Sequence, residues 1–155
     1  MPHIERYSDS EIEIATDQAM ETLLWQAGDI TDEDGNYSGR GTWDDNYDVD
    51  DFPGHQWDNM RAKLAAFMEA NLVDLVQTGH VAGIENNVQA VGRIGHDYVL
   101  TTGGHGAGFW DRGYGEAGDR LTEACKAERA EWYLSEAKDW RGGEDGKVYC
   151  QELEN

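Results

Sequence analysis

The residues best suited to chemistry in this sequence lie in one glycine-rich segment, HDYVLTTGGHGAGFWDRGYGEAGDRLT, at residues 96–122. His96, His105 and Asp111 could bind a metal ion, because imidazole nitrogens and carboxylate oxygens are common metal ligands. With Arg112 they form a candidate small-ligand site. Histidines flanked by glycine in turns more often make local hydrogen bonds. The sequence therefore favours a structural role for these residues and predicts neither a bound metal nor a cofactor.

Two other segments resemble the sequence motifs of known ligand sites. Residues 113–118 match the dinucleotide-binding pattern G-x-G-x-x-G, but Glu116 would face the pyrophosphate from the first helical turn. Residues 29–39 resemble a calcium-binding EF-hand loop, yet aligning Gly35 with the sixth loop position places Ile30 where the first ligand belongs. No G-x-S-x-G motif and no clear Cys–His pair supports a nucleophilic hydrolase. We therefore expect a protein that is not an enzyme.

Acidic residues dominate the charge of the chain. It has 32 Asp and Glu against 12 Lys and Arg among 155 residues, a formal net charge of -20, and residues 1–78 alone hold 18 acids and 4 bases. Such a field repels nucleic acid and anionic membranes and attracts basic proteins. We expect a basic partner, above all one that binds nucleic acid, and no direct binding to nucleic acid or to a membrane. Plain solubility or adaptation to high salt explains the same charge without any partner.

The candidate partner-binding surface consists of acidic residues in the N-terminal half. Three of them repeat at i, i+4 spacing on one helix face, where each like-charge pair costs about 0.2–0.5 kcal/mol. They rise about 6 Å per step along the helix axis, comparable to every second phosphate of one DNA strand. The others lie at residues 29–51, which we predict to be an acidic, partly mobile loop; its part WDDNYDVDDF could lie against the body as an extended strand. The proposed surface comprises Glu13, Asp17, Glu21, Asp32, Glu33, Asp34, Asp44, Asp45, Asp48, Asp50 and Asp51.

Hydrophobic periodicity and capping patterns predict three helices that would support this surface. The first spans residues 9–27 and begins at a capping box formed by Ser8 with Glu11, or by the equivalent pair two residues later. The second runs over residues 53–78 and carries a wide apolar stripe, which we expect to pack on a sheet. The third spans about 116–129.

A small antiparallel sheet completes the predicted fold. β-Branched and aromatic residues followed by a Gly-Gly turn predict a hairpin over residues 98–111. Residues 147–151 predict a C-terminal strand, whereas residues 131–134 could form another strand or prolong the third helix. Residues 80–95 give no clear pattern. We therefore predict an α+β fold with a single domain, residues 1–155, in which the two N-terminal helices pack on the sheet.

Features of targeting and redox chemistry point to the cytoplasm. The N-terminal residues MPHIERYSDSEIE lack the basic start and apolar core of a signal peptide, and no window reaches the apolar length of a membrane span. Cys125 and Cys150 form no C-x-x-C pair and are too few for a disulfide scaffold. We expect two reduced thiols.

The segment 96–126 resembles the signature of a group of small acidic proteins encoded by tailed bacteriophages. In that group the patterns His-Asp-aromatic-x-Leu-Thr, Gly-His-Gly-Ala-Gly-Phe-Trp-Asp-Arg-Gly and Gly-Asp-Arg-Leu-Thr occur in this order, as they do here. The later EDGKVY resembles the group's ending, whereas Thr102 stands where Arg is usual and the segment 130–143 is longer here. The resemblance implies a viral origin and a location in the host cytoplasm. It implies no catalytic residues, because no activity is established for the group.

Charge and resemblance together suggest a phage accessory protein that binds and inhibits a host protein, in anti-defence or host takeover, as an acidic mimic of nucleic acid. The first alternative is a small-ligand or metal-binding enzyme that uses His96, His105 and Asp111. The second is a virion or assembly protein, for which stable self-association is the expected property.

Overall fold

Helices and two short sheets make up this α+β protein, whose computed structural model describes residues 5–32, 34–83, 88–104, 108–109, 113–136 and 148–154. The mixed helix and sheet composition expected from the sequence is confirmed. The helices are α1 Asp9–Gln26, α2 Trp43–Asn46, α3 Gly54–Ala70, α4 Leu72–Gln77, α5 Val88–Thr102 and α6 Gly115–Ala127. The strands are β1 Asp29–Thr31, β2 Tyr37–Thr42, β3 Leu134–Glu136 and β4 Val148–Cys150, and the 3₁₀ helices are Val49–Asp51 and Gln151–Leu153.

The first predicted helix is confirmed together with its capping box. Ser8 Oγ accepts a hydrogen bond from the Glu11 backbone N–H at 3.2 Å, and Glu11 Oε1 accepts one from the Ser8 N–H at 2.8 Å. The two bonds satisfy donors that the start of a helix leaves without intrahelical partners. The buried face of α1 consists of Ala15, Thr16, Ala19, Met20, Thr22, Leu23 and Leu24.

The second predicted helix forms as two helices. The division falls at Asn71, which ends α3 and whose carbonyl accepts from Leu75 N–H in α4 at 2.9 Å. Its apolar stripe is buried at Met60, Leu64, Phe67, Met68 and Leu75. The expectation that the N-terminal helices pack on a sheet is not fully confirmed: α3 packs mainly on α1 and on the C-terminal 3₁₀ helix, and it meets a strand through Gln56.

The hairpin predicted over residues 98–111 is wrong, because residues 98–102 form the last turns of α5. The β-branched and aromatic residues suggested a strand, but most of α5 is buried on all sides, and packing overrides the weak local preference. Gly104, read as part of a hairpin turn, has φ +77° and follows the helix, where its N–H bonds to Thr101 O at 3.2 Å. Residues 105–107 and 110–111 of the predicted hairpin lie outside the described residues.

The helices α5 and α1 pack closely against each other. A Cβ atom built on Gly95 would lie 1.9 Å from the carbonyl oxygen of Ala15, so no larger residue fits at this crossing. Ala15 and Ala19 supply the small surface on α1. The segment that gave no clear sequence pattern thus contains the contact on which the two central helices depend.

Side-chain hydroxyls connect the end of α5 to the following chain. Thr101 Oγ1 accepts from the Phe109 N–H at 3.2 Å, and Thr102 Oγ1 accepts from Trp132 Nε1 at 2.9 Å. The Thr102 carbonyl accepts from the Ala130 N–H at 3.0 Å. Thr101 and Thr102, both in the 96–122 segment, therefore connect α5 to the chain that follows it.

The third predicted helix is confirmed as α6, which begins one residue earlier and ends two residues earlier than expected. The C-terminal strand predicted at 147–151 is confirmed as β4, which pairs antiparallel with β3. Residues 131–134 neither prolong the helix nor form a full strand, since β3 begins only at Leu134. Arg120 of α6 pairs with Asp74 of α4 at 2.8 Å.

A buried amide fixes the C-terminal strand on α3. Gln56 Oε1 accepts from the Cys150 N–H and Gln56 Nε2 donates to the Cys150 carbonyl, both at 3.0 Å. The Gln56 side chain thus pairs with β4 as a neighbouring strand would. Cys125 and Cys150 are both buried and free, as expected, and burial raises the pKa of the Cys150 thiol to about 12.

The acidic segment 29–51 has regular structure in its described residues. β1 and β2 form an antiparallel hairpin, whose turn is held by Asp32 Oδ1 accepting from the N–H groups of Asp34 and Asn36, each at 2.9 Å. The strand expected from residue 43 onward is wrong, since the extended part is β2 and the helix α2 follows it.

Candidate partner-binding groove

A groove of ≈ 420 Å³ runs between α1 and the acidic segment. It joins residues from both sets that the sequence singled out: three members of the acidic surface and one histidine of the alternative site. Small-ligand sites have volumes of about 300–1,000 Å³. The groove is lined by Gln18, Glu21, Thr22, Leu24, Trp25, Asp44, Tyr47, Asp48, Val49 and His96.

One wall is a continuous face of α1. Gln18, Glu21, Thr22 and Trp25 follow i, i+3, i+4, i+7 spacing, which places them on one side of a helix. Trp25 is 58% exposed. Large aromatic side chains are usually well buried, so an exposed indole ring on a groove wall is a feature that packing does not account for.

The opposite wall comes from α2 and the turn that follows it. Thr42 Oγ1 accepts from the Asp45 N–H at 3.0 Å and caps α2, which sets the position of Asp44 in its first turn. Asp48 Oδ1 accepts from the Asp50 N–H at 2.8 Å and so begins the next 3₁₀ helix. Asp44 and Asp48 therefore lie at the starts of capped helices, which are positions that acidic residues prefer.

Tyr47 is fixed between the groove and β3. Its hydroxyl donates to Glu136, and Arg40 binds both carboxylate oxygens of Glu136 at 2.6 Å each. Burial and the bond to Glu136 raise the pKa of Tyr47. A neutral phenol with a fixed ring thus faces the groove, 5.6 Å from the ring centroid of Trp43.

His96 joins the groove through α1. Its Nδ1 lies 2.9 Å from Thr22 Oγ1, and its ring centroid is 5.7 Å from that of Trp25. The other residues of the alternative site, His105, Asp111 and Arg112, lie outside the described residues. Among the residues that are described, no group of three or more His, Cys, Asp or Glu side chains is placed to hold a metal ion.

The acidic row on α1 is not uniform. Arg61 binds Glu13 through Nε at 2.6 Å and Nη2 at 2.9 Å, and this hydrogen bonding lowers the pKa of Glu13. Partial burial and the nearby Glu13 charge raise the pKa of Asp17. Glu21, the third of the row, lines the groove and forms no salt bridge with another described residue. Of these three residues, Glu21 is the one that lines the groove.

The other described acidic residues of the predicted surface are not part of the groove lining. Asp32 and Asp34 belong to the β1–β2 turn, and Asp51 Oδ2 accepts from the Asp48 N–H at 3.0 Å. Asp45 and Asp50 are exposed. Glu33 lies outside the described residues.

The groove residues that the sequence did not single out include Trp25, Tyr47 and Val49. Trp25 had a signal, because it continues the i, i+4 series of Glu13, Asp17 and Glu21 on the polar face of α1. The other two had none, since their place in the groove depends on how residues 43–51 fold back on α1.

No described helix combines the length and apolar character that crossing a membrane requires. Known protein families, curated proteins and solved structures were compared with the chain, and none of them matches it.

Proposed function

We propose that this protein is a bacteriophage accessory protein that binds and inhibits a basic host protein, acting as an acidic mimic of nucleic acid. The observation that carries the proposal is the groove, where Glu21, Asp44 and Asp48 meet the exposed Trp25. Carboxylates beside an aromatic ring offer a cationic surface the charge and the flat face that nucleic acid presents through phosphates and bases.

The charge of the whole chain supports the same partner class. A net charge of -20 attracts a basic protein at long range and speeds its encounter, especially at low ionic strength. Long-range attraction alone selects no partner. The groove adds short-range contacts that a merely soluble acidic protein would not need.

We propose fewer contact carboxylates on α1 than the sequence alone suggested. Since Glu13 is occupied by Arg61, α1 does not present three equivalent carboxylates in a row. We therefore assign the binding role to Glu21, Asp44 and Asp48 first, and to the exposed acids around them second.

Capture from host lysate at low salt tests the proposal. We expect a basic, nucleic-acid-binding protein to be retained, to be displaced by added duplex DNA, and to be lost as salt rises. The variant Glu21→Gln, Asp44→Asn, Asp48→Asn should lose the capture; Asn keeps the helix-capping ability of Asp48.

A matched control removes the same charge elsewhere. The exposed residues in Glu69→Gln, Asp119→Asn, Glu123→Gln lie on α3 and α6, outside the groove lining. This control should retain the captured protein. No capture by the wild-type chain at low salt, or equal loss in both triple variants, would contradict the proposal.

A further inference from the structure

We infer that the groove binds an arginine side chain of the basic partner, with the guanidinium against the ring of Trp25 and between the carboxylates of the two walls. This inference rests on the proposed function and names the group that the groove recognises. It assigns a binding site to the groove residues Glu21, Trp25, Asp44 and Tyr47.

Trp25 presents an exposed indole ring at the groove. Trp is the aromatic side chain that attracts cations most strongly, and a guanidinium can stack on its face within about 6 Å of the ring centroid. Trp25 is 58% exposed and contacts the ring of His96, so the indole has a neighbour that limits its rotation while much of its surface stays open. An aromatic ring with limited rotation offers a planar cation a fixed face on which to stack.

The two walls of the groove carry charges that complement a cation. Glu21 belongs to α1 and Asp44 to α2, so carboxylates approach the groove from both walls. Neither forms a salt bridge with another described residue, in contrast to Glu13 with Arg61 and Glu136 with Arg40. The two filled pairs show how this chain binds a guanidinium when it has one of its own.

The choice of arginine over lysine follows from shape. A guanidinium is planar, stacks on aromatic rings and donates two parallel hydrogen bonds to a carboxylate, whereas an ammonium is a strongly hydrated point charge. The groove offers flat rings at Trp25 and Tyr47 together with carboxylates. These features favour a guanidinium over an ammonium group.

Fluorine NMR of protein labelled with fluorotryptophan tests the inference directly. The chain has six Trp residues, so six resonances are expected, and Trp25→Leu identifies the one from Trp25. The probe is the peptide acetyl-Gly-Arg-Gly-amide, with citrulline and lysine peptides as matched ligands. The arginine peptide should shift the Trp25 resonance in a saturable way, the lysine peptide more weakly, and the uncharged citrulline peptide not at all.

Variants separate the two parts of the site. Trp25→Leu keeps an apolar side chain but removes the ring, and should weaken binding of the arginine peptide roughly two- to fivefold. The carboxylate variant Glu21→Gln, Asp44→Asn should weaken it further, about tenfold in all. The control Asp119→Asn, Glu123→Gln removes the same charge from α6 and should leave the affinity within about twofold. A Trp25 resonance that ignores arginine, or responds equally to citrulline, would overturn the inference.

Failure of this inference is distinguishable from failure of the proposed function. If Trp25→Leu still captures the basic host protein as well as the wild type does, the arginine site is wrong and the proposed function stands. If the wild type captures nothing while the arginine peptide shifts the Trp25 resonance, the groove binds a guanidinium and the proposed partner class is wrong.

Discussion

The central helix α5 and the acidic groove use their side chains in opposite ways. In α5, Gly95 sits against the α1 backbone, and the hydroxyls of Thr101 and Thr102 hold the chain segments that follow. In the groove, Glu21 and Asp44 have no salt-bridge partner among the described residues, and Trp25 remains largely exposed. The threonines of the segment 96–122 thus support the fold, whereas the groove proposed for binding is lined mostly by residues that belong to no motif.

The largest effect should come from Gly95→Ala. Its new Cβ would lie 1.9 Å from the Ala15 carbonyl oxygen and 3.0 Å from the Ala19 nitrogen, so the helices must separate. We expect a loss of about 3 kcal/mol in the free energy of unfolding and a fall in Tm of about 6–12 °C. Thermal unfolding followed by circular dichroism measures it.

Gly92→Ala is the matched control on the same helix. The nearest atom to its new Cβ is 3.8 Å away, an ordinary contact. Alanine favours a helix over glycine by about 0.5–1 kcal/mol, so Tm should rise slightly. Equal destabilisation by both variants would mean that the α1–α5 crossing is not the tight contact described above.

The next largest effect should come from Gln56→Ala. The substitution leaves the Cys150 N–H and carbonyl buried without the amide that pairs with them. We expect a loss of about 2–3 kcal/mol, measured by urea denaturation. The exposed Gln89→Ala should change stability by less than about 0.5 kcal/mol, and a similarly small effect of Gln56→Ala would show that β4 docks without this amide.

Glu13 and Asp17 should respond to pH in opposite directions. Hydrogen bonding with Arg61 lowers the pKa of Glu13, so its stabilisation is present above the unfolded pKa of about 4.3 and is lost as the pH falls through the folded value. Burial and the charge of Glu13 raise the pKa of Asp17, so its stabilisation is present below about 3.9 and is lost as the pH rises through the folded value.

Substitutions of the two residues test these signs. At neutral pH, Glu13→Gln should lower Tm and Asp17→Asn should raise it, each by about 1–2 °C. Both differences should shrink when the thermal unfolding is repeated near pH 3, where carboxylates are largely protonated. A fall in Tm for Asp17→Asn at neutral pH would contradict the assigned direction.

The smallest effect on stability should come from the groove itself. Glu21→Gln, Asp44→Asn removes two carboxylates that hold no described salt bridge, so the free energy of unfolding should change by less than about 0.5 kcal/mol. The same variant should weaken partner binding. A loss of stability comparable to that of Gln56→Ala would mean that the groove carboxylates serve the fold, and the contrast with α5 would fail.

The sequence by itself determined the elements whose causes are local. The capping box of Ser8 and Glu11 predicts the start of α1, and the apolar stripe of residues 53–78 predicts one helix where α3 and α4 form. These signals lie within a few turns of the helices they begin or fill. The sequence also identified the acidic half and four of the groove residues, although only as members of larger sets: Glu21, Asp44, Asp48 and His96.

The tertiary structure decided what depends on neighbours distant in sequence. Residues 98–102 have strand-like side chains, yet they are helical because Gly95 permits close contact with α1 and burial outweighs their local preference. Likewise, Arg61 pairs with Glu13, so this carboxylate of the acidic row is already bound within the chain. The folding of residues 43–51 against α1 brings Trp25 and Asp44 into the same groove. The net charge follows from composition, but packing decides which carboxylates are left to bind a partner.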